Sequence, residues 1–114
     1  MHKVEIARSH GVPVVVARGE FDAFAAPDLE RALSGARLET AFVVDLDAVS
    51  FLDSTALGVV VAAVRLSQEA GTAVRIVLPG GAARRIFEIT TLDRILPVAE
   101  NRASALESLG AEER

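Results

Sequence analysis

A single α/β domain, a mixed sheet with helices packed on it, is the fold this sequence predicts, and three observations carry the prediction. The chain has 114 residues, 51% of them apolar and 25% charged, with a mean hydropathy of +0.36. That suits one continuous core and excludes both a multidomain assembly and a disordered chain. It opens on two neighbouring β-patterned runs, the sign of a hairpin. After them, helical patterns alternate with short apolar runs, the order that lays strands beneath helices.

The elements follow in order. Val4, Ile6 and Arg8 alternate with Lys3, Glu5 and Ala7, Gly11 interrupts, and Val12 to Arg18 resumes as a β-branched run. Pro13 places that hairpin strand at an edge or a strand start. Gly19-Glu20-Phe21-Asp22 reads as a loop, and Pro27, followed by Asp28 and Glu30, starts a helix to about Gly35. Ala41 to Leu46 is almost wholly apolar, as a strand covered on both faces would be, and leads straight into Asp47–Ser54. A helix from Ser54 to about Ala70 is closed by Gly71, and Ala73–Leu78 is a second buried strand. Pro79-Gly80-Gly81 makes a turn, Ala82–Ile89 a short helix, Arg94–Val98 a last short strand, and Glu100–Leu109 an amphipathic helix ending at Gly110. Residues 1–110 thus form the domain and Ala111–Arg114 a fraying tail. Phe42, Phe51, Phe87 and Ile89 are expected to plug the core.

Composition also excludes functions. Twelve Lys and Arg against sixteen Asp and Glu leave a net charge of −4 and a pI near 5.1, no electrostatic footprint for nucleic acid. There is no cysteine, hence no disulfide scaffold and no thiol chemistry. The longest charge-free stretch, Ser54–Val64, falls short of the roughly 20 residues that span a bilayer, and the first residues lack an apolar signal region. A cytoplasmic protein without a membrane anchor is expected, with no cofactor and no metal site.

The chemically distinctive stretch is Asp53-Ser54-Thr55-Ala56-Leu57-Gly58, between a buried strand and the first turn of a helix. There, unpaired N–H groups and the macrodipole favour an oxygen acceptor or an anion. Ser54 suits two roles: a helix cap worth about 1 kcal/mol, or an acceptor for a phosphate adding about −1.5 to −2 charge. Asp22, Asp45, Asp47 and Asp53, if their loops converge, would repel that phosphate while the helix terminus welcomed it. Along the helix, Leu57, Val60, Val61 and Val64 form one apolar stripe, and Val59, Ala62, Ala63 and Leu66 a second on nearly the opposite side. One covers the sheet. The other is either buried by a neighbouring helix or exposed as a docking surface.

Taken together, Gly19-Glu20-Phe21-Asp22, Val43-Val44-Asp45-Leu46, Val49–Gly58 and Ala73–Val77 resemble the STAS domain of bacterial anti-sigma factor antagonists, in order over almost the whole chain. The resemblance implies a four- to five-stranded mixed sheet flanked by about four helices. It also implies partner switching: the unphosphorylated protein sequesters an anti-sigma factor that is itself a serine kinase, phosphorylation releases it, and a phosphatase resets the switch. By position, Ser54 matches the phosphoacceptor, Asp53 precedes it, Thr55 is the adjacent hydroxyl, and Asp22 matches an acidic position near the site. Ala56 stands where many members have glycine. Asp22, Asp53, Thr55, Ala56, Val59, Ala62, Ala63 and Leu66 are then the expected partner contacts.

Two other classes compete. A STAS-type subunit of a scaffold or membrane-transport complex would share the fold but not the kinase. A small serine hydrolase would need Ser54 beside a histidine; the sequence has no Gly-x-Ser-x-Gly elbow, and His2 and His10 lie in or beside the opening hairpin, where solvation is the simpler reading. Arg84-Arg85 reads as a solvent-facing helix start or as a contact for an acidic partner surface.

Overall fold

The computed structural model describes residues 1–110; the tail expected to fray lies outside the described residues. Five strands, β1 (His2–Ser9), β2 (Val12–Phe21), β3 (Ala41–Leu52), β4 (Ala73–Val77) and β5 (Val98–Ala99), lie in the sheet order β1-β2-β3-β4-β5. The first pair is antiparallel and the rest are parallel. His10 and Gly11, both at positive φ (52° and 81°), make the two-residue turn whose twist matches a hairpin. Helices α1 (Ala26–Ala36), α2 (Ser54–Glu69), α3 (Arg84–Ile89), α4 (Leu92–Ile95) and α5 (Arg102–Ser108) complete the domain.

The sheet is covered on both faces, as the apolar runs require. From β2, Val15, Ala17 and Phe21, and from β3, Phe42, Val44 and Leu46, meet Leu29 and Leu33 of α1, Val60 and Val64 of α2 and Phe87 of α3. The alternate residues, Val12, Val14, Val16, Ala41 and Val43, meet Ala105, Leu106 and Leu109 at α5. Phe21, Phe42 and Phe87 are fully buried, each stabilising by the roughly 1.5–3 kcal/mol that burying a large apolar side chain gives. Helix α1 buries Ala26, Leu29, Leu33 and Ala36, one face at helical spacing.

Four expectations need correction. Gly19–Phe21 continues β2 instead of looping, because β3 runs on to Leu52 and pairs with it. In β3 the register with β2 slips between Val16 and Arg18 and again between Gly19 and Glu20, each time leaving an extra residue in β3. Such bulges re-aim side chains, so Val49 and Leu52 face the core while Phe51 is half exposed. Arg94–Val98 is not a strand: Leu92–Ile95 is helical, and β5 comes later and is only Val98–Ala99. Ile89 is 69% exposed at the end of α3, not a core plug.

Candidate functional site at the start of helix α2

β2 and β3 end side by side, with Phe21 opposite Leu52 and the Asp53 amide donating to the Phe21 carbonyl at 3.0 Å. The chain then turns directly into α2. Asp53 is extended (φ −85°, ψ 177°), and its Oδ1 accepts from the Ala56 amide at 3.0 Å. Asp53 is therefore the N-cap, and the expectation that Ser54 caps the helix is corrected. Its carboxylate both satisfies a free amide and places negative charge at the positive end of the helix.

Ser54 consequently stands at the first helical position, exposed, its hydroxyl without a hydrogen bond among the described residues. Thr55 is exposed beside it, and the amides of both are likewise unbonded. A helix N-terminus with free amides and a free hydroxyl can carry an anion there without giving up a native contact. Asp22 is exposed at the adjacent strand end, where its Oδ1 accepts from the Ala25 amide at 3.0 Å and shapes the turn into α1.

The acidic loops do not all converge. Asp45 is 7% exposed on the opposite face of the sheet, where Arg102 of α5 reaches its Oδ2 at 2.9 Å and the Asp47 amide donates to its Oδ1 at 3.0 Å. It pins α5 to the sheet and takes no part in the surface around Ser54. Asp47 lies within β3, and Asp53 and Asp22 are the carboxylates carried where β2 and β3 end side by side before Ser54.

Helix α2 buries Ala56, Val60, Ala63, Val64 and Ser67, a stripe lying between the two read from the sequence. Ala56 is thus a core residue that presents nothing to a partner, and Ala63 is buried at the floor of the groove against α1, which corrects their assignment as exposed contacts. Val59 is half-buried and joins Leu33 and Ala63 in the groove against α1; Ala62 and Leu66 on its rim are exposed, Leu66 by 46%. The open choice between helix packing and docking surface therefore divides along one stripe, its inner half packed and its outer half free.

Two aromatic residues close to this end were not foreseen. Phe24, in the turn after Asp22, is 85% exposed, and Phe51, just before the capping Asp53, is 50% exposed and forms a shallow cavity of about 200 Å³ with Ala82, Ala83 and Ile86. No periodicity could have flagged Phe24 in a turn, and the outward Phe51 depends on bulges that sequence patterning does not show. Arg84 is half-buried and Arg85 exposed at the start of α3.

Neither histidine serves Ser54. His10 sits in the hairpin turn at the start of β2, the far end from Ser54. The His2 ring packs edge-on against Phe21, centroids 5.5 Å apart, and its Nε2 lies 2.6 Å from Asp28 Oδ2. The hydrogen bond from His2 holds the Asp28 carboxyl below the usual carboxylate range, against the opposing effect of desolvation and with help from Arg31, which also pairs with it. Serine catalysis needs a nucleophile within hydrogen-bond reach of its base, and Ser54 has no such neighbour among the described residues.

A mixed sheet covered on both faces and an exposed hydroxyl at a helix tip define a small α/β module. The sequence profile of the STAS domain family matches residues 3–105, and the chain belongs to that family. An anti-sigma-B factor antagonist of Listeria monocytogenes is 38% identical over 84 residues, 70% of this chain and 72% of that protein. The crystal structure of an anti-sigma factor antagonist from Mycobacterium paratuberculosis superimposes with a TM-score of 0.80 at 32% identity, covering 95% of this chain and 93% of that one. Bacillus SpoIIAA in its phosphorylated form shares the fold, with a TM-score of 0.70 at 19% identity over 94% and 99% of the chains. Among the described residues no helix is long and apolar enough to cross a membrane.

Proposed function

We propose that this protein is an anti-sigma factor antagonist acting in the cytoplasm, and that Ser54 is its switch. Unphosphorylated, it binds an anti-sigma factor that is a serine kinase and so frees the sigma factor; phosphorylated on Ser54, it lets the kinase go; a phosphatase restores the first state. The observation that carries this reading is the division of labour at the start of α2. Asp53 performs the capping, and Ser54 is left exposed, its hydroxyl without a hydrogen bond among the described residues. The names of its relatives in Listeria and Mycobacterium agree with the antagonist role. A protein of the same fold solved in a phosphorylated form supports the tolerance of the fold for such a group.

The switch then works through charge. The kinase moves the γ-phosphoryl group of ATP onto Ser54 Oγ: the new P–O bond forms, the bond to the β-phosphate breaks, ADP leaves and the hydroxyl proton passes to a base on the kinase. The phosphate brings about −1.5 to −2 charge to the free amides of Ser54 and Thr55, beside the carboxylate of Asp53. In the free protein, water solvates that charge and the fold is undisturbed. Under a partner laid across Asp22, Asp53, Thr55, the half-buried Val59 and the exposed flank at Ala62 and Leu66, the dianion must be desolvated. An unpaired buried charge costs several kcal/mol, and each 1.4 kcal/mol is about tenfold in affinity.

The test is to incubate the protein with ATP and the serine-kinase anti-sigma factor of its own organism, map the modified residue by mass spectrometry, and titrate both forms by calorimetry. Label on Ser54, none on Ser54→Ala, and binding at least about a hundredfold weaker after phosphorylation are expected. Label elsewhere, or equal affinity of the two forms, overturns the proposal.

A further inference from the structure

We propose that two copies of this chain associate through β1, extending the sheet across a two-fold axis at Val4. This does not rest on the phosphorylation reading. β1 is an edge strand, and its eight residues pair with β2 in unbroken register, with no bulge or proline to spoil the outer edge. Such an edge is a template for another strand.

The direction of each amide along it can be worked out. Met1 accepts from the Glu20 amide, and Arg8 lies opposite Pro13, which has no N–H to donate. Antiparallel pairs alternate between hydrogen-bonded and non-hydrogen-bonded, so Lys3, Glu5, Ala7 and Ser9 turn their backbone groups to β2. His2, Val4, Ile6 and Arg8 turn theirs outward. A second copy of β1 must meet those outward groups with its own, which admits only registers that set these four against one another.

Charge selects among them. With Val4 opposite Val4, His2 faces Ile6 of the second copy, each such pair exchanging two hydrogen bonds, and Lys3 faces Glu5 twice over in the closer, non-hydrogen-bonded positions. Sliding by two residues sets Glu5 against Glu5 in one direction and Lys3 against Lys3 in the other. A further slide, to Ile6 against Ile6, leaves Glu5 facing Ala7. The strand is therefore self-complementary in the Val4-centred register alone.

There is also room for the pairing. Helix α1 packs over β1, β2 and β3, and between it and the outer edge lies an open groove of about 370 Å³ lined by His2, Val4, Ile6, Asp28, Arg31 and Ala32. Two copies would hold their β2 strands three strand spacings apart, about 14 Å, whereas packed helices need about 8–10 Å. The groove would thus receive the side chains on the helix-facing side of the seam, including Ile6, which is 53% exposed in the single chain. Ser54 lies two strands away at the end of β3 and stays uncovered.

Sedimentation of the full chain from about 10 µM to about 1 mM, where a small interface associates, is the test. The average mass should climb from 12.0 kDa toward its double, and salt should weaken the association. Glu5→Lys and Lys3→Glu should each weaken it about tenfold or more, and the double swap should bring it back. Within one chain Glu5 lies 3.6 Å from Arg18 and 3.8 Å from Lys3, so each single change also disturbs a pair inside the chain, and the recovery of association in the double swap is the deciding result. Val4→Pro removes an outward amide without touching the ladder to β2 and should abolish association while far-UV circular dichroism is unchanged. A wild type that stays monomeric to about 1 mM, or single charge variants that associate as tightly as the wild type, overturns the proposal.

Discussion

Asp53→Ala and Ser54→Ala, taken as a pair, separate the structural role of the α2 terminus from its role as a switch. The Asp53 carboxylate accepts from the Ala56 amide at 3.0 Å, and Ala56 is fully buried. Removing the carboxylate strands that amide and deletes a favourable charge at the helix terminus. Loss of an N-cap costs about 0.5–2 kcal/mol, and the dipole interaction adds about 0.3–1 kcal/mol; because the two overlap in one side chain, about 1–2 kcal/mol is expected. Ser54→Ala removes a hydroxyl that makes no hydrogen bond among the described residues, so its effect should stay within about 0.5 kcal/mol. In urea, with an m-value of about 1.5 kcal/mol/M, the Asp53→Ala midpoint should fall by about 0.7–1.3 M at unchanged slope, while that of Ser54→Ala barely moves. If the two midpoints fall equally, or Ser54→Ala falls further, the serine is the cap after all. A modification of Ser54 would then disrupt the fold, and the reasoning that keeps the module intact through phosphorylation fails.

Further tests address the rest of the frame. Gly19 sits at φ +90°, and a Cβ there would approach the Met1 carbonyl oxygen to 2.3 Å; Gly19→Ala should cost about 2 kcal/mol or more, seen as a lower urea midpoint. The depressed Asp28 carboxyl implies a stabilisation present above its unfolded pKa, near 3.9, and lost as pH falls through the lower folded value. Since the hydrogen bond from His2 is the leading cause, His2→Ala should move the Asp28 titration, followed by carboxyl carbon NMR, back toward the ordinary value and bring the acid-induced loss to higher pH. An unmoved titration would show that Arg31 alone holds the shift.

How much of this was legible in the sequence depends on the range of the interaction involved. The hairpin, helices α1 and α2 and the buried runs of β3 and β4 are written in local periodicity, because alternation and helical spacing both report which side of an element meets oil. The Asp-Ser-Thr junction was equally visible, as a cluster of small oxygen-bearing residues before an apolar helix. What was not visible is geometry set by neighbours. Asp53 and Ser54 are both good caps by residue type, and the choice fell to Asp53 because its amide is held by Phe21 across the strand pair, leaving it extended at the turn.

Residue chemistry in its order along the chain thus determined the α/β class, the position of the hydroxyl and the absence of thiol chemistry. Tertiary structure decided which apolar residues are outside. Two bulges in β3 turn Phe51 toward solvent, and α1, packed along one side of α2, buries Ala63 while leaving Leu66 exposed. Asp45 likewise became a tether for α5 only through Arg102, fifty-seven positions further on. Periodicity specifies a face, but which face is covered depends on elements distant in sequence, and no local pattern encodes that.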